Sequence, residues 1–454
     1  MDFKTTNPAT GHSEDVCAAM TAPALSITLS GAQAAAVEWR ALDISARCEL
    51  VAAAARVLRD NLEHYARLMT LEMGKPVSEA RAEVEKSASG CEYYAEHGPA
   101  FLADELVESD ASRSLVCYQP LGTVLAIMPW NFPFWQVFRF AAPALVAGNT
   151  CLLKHASNVP QCALSIQSLF EQAGFPEYVF STLMLPSSRV ASVIEDPRVH
   201  AVTLTGSEPA GRQVAAAAGA HIKKTVLELG GSDPFIVLED ADLDQAVEVA
   251  VTSRFLNTGQ SCIAAKRFIV VEAIADEFVR RFKLAVEALA MGDPLDEGNR
   301  LGPMARFDLR DELHRQVIES ITQGAKAITG CSPESGDGAY YQPSIIDHVK
   351  PGVLAYHEEL FGPVASVIRA TDEQDAVRIA NDSDFGLGGS VWTQDSSRGE
   401  RVARQLECGC AFVNGLVKSD PRLPFGGVKN SGYGRELSRH GIREFVNAKT
   451  IWIK

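Results

Sequence analysis

The chain lacks the features that would mark a membrane, a nucleic acid or a metal as its partner. No apolar run reaches the roughly 20 residues that span a bilayer. The opening Met1-Asp2-Phe3-Lys4-Thr5-Thr6-Asn7-Pro8 has neither an apolar signal core nor an arginine-rich amphipathic stretch, so a cytoplasmic protein is expected. Positive charge is in short supply: 42 Lys and Arg stand against 57 Asp and Glu, a net charge of −15. Without a basic stripe, nucleic acid is not an expected partner, although single arginines and helix N-termini can still bind small anions. The ten cysteines, at positions 17, 48, 91, 117, 151, 162, 262, 331, 408 and 410, have no paired metal spacing. Free thiols are the default in a large cytosolic chain. Cys408-Gly409-Cys410 is the one close pair, read here as one buried and one outward thiol on a strand. With no His-Glu-x-x-His and no cysteine–histidine cluster, no metal is expected. A Gly-x-Gly-x-x-Gly motif, internal repeats and low-complexity segments are also missing.

What is present is long and ordinary in composition. At 454 residues the chain exceeds one ordinary core, so two or three domains are expected. Hydrophobic residues at 46% and charged residues at 22% exclude general disorder. The first part, to about Leu106, reads as helical: Ile44, Cys48, Val51, Ala55 and Leu58 recur at helical spacing, and Leu62, Tyr65, Met69 and Glu72 continue it. Gly74-Lys75-Pro76 interrupts, and Ser78 restarts a helix. Ser114 to Met128 reads as strand, a turn and a second strand. Strands at Thr150–Leu153, Ser181–Leu185, Val199–Leu204 and Thr225–Leu229 then alternate with helices such as Gln161–Ala173 and Pro209–Ala218, which argues a parallel sheet with crossover helices. A second alternating block begins at Asp233, with a helix opened by Asp242 and Gln245 and a strand at Arg267–Val271. Ile442 to Lys454 reads as a short helix and a closing strand.

Chemistry concentrates in a few segments. Asn257-Thr258-Gly259-Gln260-Ser261-Cys262 places one cysteine after a small, polar, turn-forming run. Upstream by 34 residues (262 − 228), Leu227-Glu228-Leu229-Gly230-Gly231 runs an acid on an apolar strand into two glycines. A thiol must lose its proton to attack, and a nearby carboxylate can take that proton or activate water. Taken singly, the cysteine is more often a small buried hydrophobe and the acid a strand end. Thr203-Leu204-Thr205-Gly206-Ser207-Glu208 ends a strand and opens a helix, with Ser207 as N-cap, and such a helix N-terminus can face a pyrophosphate.

Together with Pro129-Trp130-Asn131-Phe132-Pro133 and Glu359-Leu360-Phe361-Gly362-Pro363, these segments resemble the aldehyde dehydrogenase superfamily in order and rough spacing. The resemblance runs from Asn7-Pro8-Ala9-Thr10-Gly11 to the C-terminus. It implies an α/β fold with three parts. A modified Rossmann cofactor domain would comprise residues 1–106 and 125–230, a second α/β catalytic domain residues 231–438, and a small β oligomerisation element residues 107–124 and 439–454. It also implies that Cys262 is the nucleophile, that Glu228 is the base, and that Asn131 with the Cys262 N–H forms the oxyanion hole. Lys154 is implied on the adenine ribose, Glu359 and Phe361 on the nicotinamide ribose and ring, and Trp130, Gly206, Ser207 and the Leu229 backbone as further cofactor contacts. The Pro424-Phe425-Gly426-Gly427 loop is implied to close the substrate tunnel. A homodimer or homotetramer is expected, because a lone chain would leave the Ser114–Tyr118 and Thr450–Ile453 strand edges open.

Three departures carry information. The chain starts almost directly at the Asn-Pro-Ala-Thr-Gly segment, as shorter members do, without the extra N-terminal strand pair common in the family. Where NAD-preferring members carry a glutamate three residues after the lysine, this chain reads Lys154-His155-Ala156-Ser157. Ser157 removes a charge that would repel a 2′-phosphate, which favours NADP, with NAD still possible. Arg139 follows Phe134-Trp135-Gln136-Val137-Phe138, on a helix that lines the substrate tunnel in the family. A surface ion pair is the ordinary fate of a helical arginine; a clamp for a substrate carboxylate, shared with Ser419, is the functional reading. Short members with this arginine resemble succinate-semialdehyde dehydrogenases, so a four-carbon ω-oxo acid is the favoured substrate, with Trp135 and Phe425 beside it. Lactaldehyde or glyceraldehyde 3-phosphate remain open, a CoA-acylating enzyme fits poorly with Glu228 present, and a non-catalytic protein on the same fold fits poorly with both Cys262 and Glu228 present.

Overall fold

The structure, a computed structural model, describes residues 2–454. Four helices, Ala22–Ala41, Ile44–Asp60, Leu62–Met73 and Val77–Phe101, occupy the alanine-rich opening part of the chain. Gly74 closes the third of them at φ 79°, a left-handed C-cap that suits glycine. The apolar stripe read from the sequence faces inward: Val51, Leu58, Tyr65 and Met69 are buried in one core with Val124, Phe138 and Leu145. One element was not anticipated. Asp2–Thr6 and Ser13–Ala18 pair antiparallel, and Asn7–Gly11 is the turn between them. Phe3 and Thr5 point inward and their neighbours outward, a period-2 signal too short to stand out in a polar segment.

Two larger sheets follow. The first has six strands in the order Gly432–Tyr433, Lys224–Glu228, Ala201–Thr205, Thr123–Met128, Thr150–His155 and Phe180–Thr182. All but the first pairing are parallel. The chain lays Thr123–Met128 at the centre, adds two strands on one side, then returns to add two on the other. The strand order therefore reverses between Thr123–Met128 and Ala201–Thr205, which opens a crevice at the carboxyl ends of those two strands. Gly432–Tyr433 is contributed from far downstream, inside the stretch assigned from sequence to the catalytic part, and pairs with Glu228 and Leu227.

The second sheet has seven strands, ordered Lys326–Thr329, Ser344–Asp347, Val364–Ala370, Ala265–Val271, Asp233–Val237, Gly388–Trp392 and Cys410–Val413. All pairings are parallel except that of Lys326–Thr329. Near-continuous apolar runs such as Arg267-Phe268-Ile269-Val270-Val271 suit a sheet covered on both faces. The Leu243–Phe255 helix starts as expected, its cap Asp242 accepting the N–H groups of Asp244 and Gln245. A third sheet joins Val446–Ile453, Arg113–Pro120 and Glu105–Leu106, all antiparallel. Cys408 and Cys410 depart from the expected one-in, one-out pair: both are half-buried free thiols, because the strand begins only at Cys410 and the Cys408 S–H turns back to the Cys410 carbonyl.

Candidate functional site

A cavity of about 260 Å³ lies between the carboxyl ends of the first sheet and the amino ends of the second. From the first come Trp130 and Asn131 after Thr123–Met128, Gly206 and Ser207 after Ala201–Thr205, and Leu229 after Lys224–Glu228. From the second come Cys262 before Ala265–Val271, and Glu359 and Phe361 before Val364–Ala370. Eight residues singled out from sequence thus line one cleft at the topological switch point. Pro129, Gln136, Thr205, Gly230 and Leu309 also line it and were not singled out. Pro129, Thr205 and Gly230 adjoin motif residues; Gln136 and Leu309 carry no sequence signal.

The cysteine is presented by a turn that other segments hold in place. Asn257 and Thr258 adopt φ of 55° and 54°, a left-handed conformation that non-glycine residues rarely take. Glu79, on the Val77–Phe101 helix, accepts the Asn257 N–H at 2.7 Å. The Asn257 side chain donates to the carbonyls of Asn131 and Gln260, and the Gln260 side chain accepts the Ala305 N–H. Buried Arg254 donates to the carbonyls of Gly259, Leu360 and Gly362, joining the cysteine turn to the Glu359–Pro363 segment. Lys266 makes a second tie: its Nζ is 2.7 Å from the carbonyl oxygens of both Ser261 and Cys262 and 2.9 Å from Glu359 Oε1. Burial pushes the Cys262 thiol up to about 11, while the Lys266 and Arg139 cations pull it down. Asn131 Nδ2 donates to the Gln260 carbonyl at 3.1 Å, leaving the second amide hydrogen for another acceptor.

Glu228 ends its strand fully buried, and neither carboxylate oxygen has a hydrogen-bond partner. A Cβ on Gly426 would stand 2.7 Å from Glu228 Oε1, so only glycine lets the Pro424–Gly427 loop pass there. Burial and the nearby Glu436 carboxylate raise Glu228 well above the ordinary carboxylate range.

The cofactor side is built from backbone donors. Ser207 occupies the N-cap of the Glu208–Ala220 helix, but its side chain makes no capping bond, contrary to the expected cap role. The helix's first N–H groups lack a side-chain cap and Gly206 has no side chain, which fits a phosphate at a helix N-terminus. Gly230 makes room for Glu359, whose Oε2 would lie 2.5 Å from any Cβ there. Trp130 and Phe361 stand edge to face at 5.9 Å. These features fit a dinucleotide. Lys154 and Ser157 lie apart from the cleft's lining: Lys154 is buried, with Nζ on the His155 carbonyl at 2.8 Å, and Ser157 is exposed on the turn after Thr150–His155.

Trp135 and Arg139 lie one turn apart on the Trp135–Val146 helix. Glu83 accepts the Phe134 and Trp135 N–H groups at 2.9 and 3.0 Å and fixes that helix's start. Arg139 is neither exposed nor free: it is 3% exposed, ion-paired with buried Glu436, and has its guanidinium 4.7 Å from the Phe425 ring. Ser419 is instead held by the Trp135 indole N–H at 3.0 Å and by Lys86 Nζ at 2.8 Å.

A doubly wound sheet with its cleft at the switch point and a bare helix start beside it fits the class of dinucleotide-dependent oxidoreductases. The chain belongs to the aldehyde dehydrogenase family, whose model matches residues 1–451. It is 51% identical to a probable succinate-semialdehyde dehydrogenase [NADP(+)] of Synechocystis sp. over 453 residues, covering all of both chains. It is 50% identical to a succinate semialdehyde dehydrogenase [NAD(P)+] of Escherichia coli, covering 98% of this chain and 96% of the other. Among solved structures, succinic semialdehyde dehydrogenase from Streptococcus pyogenes in complex with NADP+ superposes with a TM-score of 0.98 at 37% identity, covering 99% of each. No helix among the described residues is long and apolar enough to cross a membrane.

Proposed function

We propose that this chain oxidises succinate semialdehyde to the dicarboxylate with NADP as the preferred acceptor and NAD as a weaker one. The observation that carries the reading is the meeting of Cys262, Asn131, Glu359, Phe361 and the Gly206–Ser207 helix start in one cleft. In this reading Cys262 sulfur adds to the aldehyde carbon, and the second Asn131 amide hydrogen and the Cys262 N–H hold the oxygen as it gains charge. The bound dinucleotide supplies the hydride acceptor that turns the thiohemiacetal into a thioester. Its phosphates would rest on the Glu208–Ala220 helix start, its nicotinamide ribose on Glu359, and its adenine ribose near Lys154 and Ser157. A water then opens the thioester, returning the thiol and releasing the acid.

Glu228 acts late in this sequence. Burial and the nearby Glu436 carboxylate raise its proton affinity. As a carboxylate it would take the proton of the water that opens the thioester, a task that a raised proton affinity suits. Phe425, Trp135 and Ser419, which lie outside the cleft's lining, are assigned to the substrate end, with Arg139 beside the Phe425 ring and its charge balanced by Glu436. For assembly, the Val446–Ile453 strand pairs on one side only and leaves Trp452 and Ile453 half exposed, which supports a homodimer or homotetramer. The deciding measurement is kcat/KM for succinate semialdehyde, butyraldehyde and lactaldehyde, each with NADP and with NAD. Succinate semialdehyde with NADP is expected to lead by tenfold or more; a neutral aldehyde in the lead overturns the substrate reading.

A further inference from the structure

The turn that carries Asn131 belongs to no strand or helix. It covers residues 129–134, between the end of the Thr123–Met128 strand and the start of the Trp135–Val146 helix. From Asn131 to Trp135 every residue is nonetheless tied to a distant one. The Asn131 carbonyl accepts from the Asn257 side chain at 2.8 Å. The Lys75 ammonium lies 3.9 Å from the centre of the Phe132 ring. His155, whose Nδ1 accepts the Ala156 N–H, turns its Nε2–H onto the Pro133 carbonyl at 2.9 Å. Glu83 Oε1 accepts the N–H groups of both Phe134 and Trp135, while Glu83 Oε2 is paired with Lys75. Both members of that pair are buried. A carboxylate suits a helix start, where N–H groups are unspent and the dipole is positive, and Lys75 balances the charge that burial would otherwise leave alone.

Glu79 stands one turn before Glu83 on the same Val77–Phe101 helix and accepts the Asn257 N–H. The Asn131 turn and the Cys262 turn therefore hang on two carboxylates of one helix. Resting on the reading of Cys262 as nucleophile and Asn131 as oxyanion donor, we propose that Glu83, with Lys75 as its counter-ion, is a positioning residue that sets where the Asn131 amide stands relative to Cys262. Glu83 touches neither aldehyde nor cofactor in this arrangement. It pins the far end of the turn, so that the free Asn131 hydrogen keeps its aim at the oxygen as charge develops there. The required precision is high: a misplacement of about 1 Å can cost about 10²-fold in rate.

Reach and charge can be separated at this position. Glu83→Asp keeps the anion for Lys75 but gives up about 1.5 Å of reach, one carbon–carbon bond. Glu83→Gln keeps the reach and an acceptor oxygen but leaves Lys75 without a counter-ion. If Glu83 positions the turn, the rate follows reach while stability follows charge.

The experiment is single-turnover reduction of NADP with enzyme in excess over aldehyde, in wild type, Glu83→Asp, Asn131→Ala and the double variant. Succinate semialdehyde and butyraldehyde are both used, so the result does not hinge on substrate preference. Alkylation of Cys262 by iodoacetamide is measured alongside, because displacing iodide at carbon builds no oxyanion. Glu83→Asp is expected to slow hydride transfer at least tenfold, with KM for NADP and the alkylation rate within twofold of wild type. In the Asn131→Ala background the same change should cost less than twofold, because the donor it aims is gone. Glu83→Gln is expected to run within threefold of wild type at a lower melting temperature, and it stands as the test if Glu83→Asp does not fold. A folded Glu83→Asp at the wild-type rate, an equal loss in alkylation, a loss that multiplies with that of Asn131→Ala, or a Glu83→Gln slowed tenfold or more overturns the positioning role alone. An Asn131→Ala protein that keeps the wild-type single-turnover rate overturns the oxyanion reading beneath it.

Discussion

Lys266 Nζ stands 2.9 Å from Glu359 Oε1 while donating to the Cys262 carbonyl at 2.7 Å, so one buried ammonium connects the nucleophile's backbone to the carboxylate proposed to hold the nicotinamide ribose. Removing it leaves Glu359 and two carbonyls short of a donor. Glu359 keeps some exposure, so the cost to folding is set at about 2–3 kcal/mol, below the full value for a broken buried pair. Lys266→Met is expected to raise KM for NADP tenfold or more and to lower the melting temperature. Lys266→Arg should restore stability better than KM, because a planar fork cannot reproduce three divergent bonds. An unchanged KM in a stable Lys266→Met would show that the tie is structural only.

The same lysine governs the thiol. With burial holding Cys262 at about 11, the thiolate fraction at pH 7 is about 10⁻⁴. The rate of alkylation by iodoacetamide in the cofactor-free protein should therefore climb about tenfold per pH unit from pH 7 to pH 10, and should be slower in Lys266→Met at every pH because the largest lowering influence is gone. Cys262→Ala should be inert in turnover yet still bind NADP, and Glu228→Gln should give a burst of reduced cofactor followed by slow release of acid. An alkylation rate already flat between pH 7 and 9 would mean the thiol is ionised in the resting site.

Glu79 makes the stability of the cysteine turn depend on pH. Its carboxylate, which accepts the Asn257 N–H, is raised to about 7, chiefly by burial; that hydrogen bond, then Lys75 and Arg300, oppose the shift, and Glu83 adds to it. Because the folded value lies above the unfolded one, the protonated form is favoured by folding. The stabilisation is full below about pH 4.5 and is lost as pH rises through about 7. The shift converts to at most about 3 kcal/mol, and partial exposure reduces it. Glu79→Gln keeps an acceptor for Asn257 without the charge. It should match wild type in melting temperature near pH 5 and exceed it by several degrees at pH 8.5. A variant less stable than wild type at both pH values would contradict this.

How much was legible in the sequence follows from the range of each interaction. Cys262, Asn131, Glu359 and Gly206 could be placed because their motifs are contiguous and sit at strand ends, where a doubly wound sheet gathers its ligands. The alternation of apolar strands and helices gave the first sheet, apart from Gly432–Tyr433, two residues too short to carry a pattern, but of the second sheet it gave the strands after Asp233 and at Arg267–Val271 and left Lys326–Thr329, Ser344–Asp347, Val364–Ala370 and Gly388–Trp392 unread. The ionic framework was hidden. Glu79 reaches an N–H 178 positions away and Glu83 one 51 positions away, and on a helix written Ser-Glu-Ala-Arg-Ala-Glu-Val-Glu-Lys such charges read as a solvated face. Arg139 was placed on the correct helix, but its partner Glu436 could not be seen, because nothing in a linear pattern marks which acid will be buried.

Ser157 offers the sharpest test of cofactor choice. It is exposed on the turn that follows Lys154, whose ammonium is turned onto the His155 carbonyl rather than onto another charge. A glutamate at 157 would bring a negative charge to where the proposed binding mode sets the 2′-phosphate. Two unit charges about 4 Å apart repel by about 1 kcal/mol in water and about 4 kcal/mol at an effective dielectric near 20. Exposure puts Ser157 toward the lower end, and the phosphate's second charge roughly doubles it. Ser157→Glu should therefore raise KM for NADP about tenfold or more while lowering KM for NAD, since a carboxylate accepts from ribose hydroxyls. The penalty should shrink in 0.5 M salt, as an exposed charge pair demands. If wild type already prefers NAD tenfold, or if Ser157→Glu leaves the NADP to NAD ratio where it was, then Ser157 does not face the 2′ position and the preference must be set elsewhere.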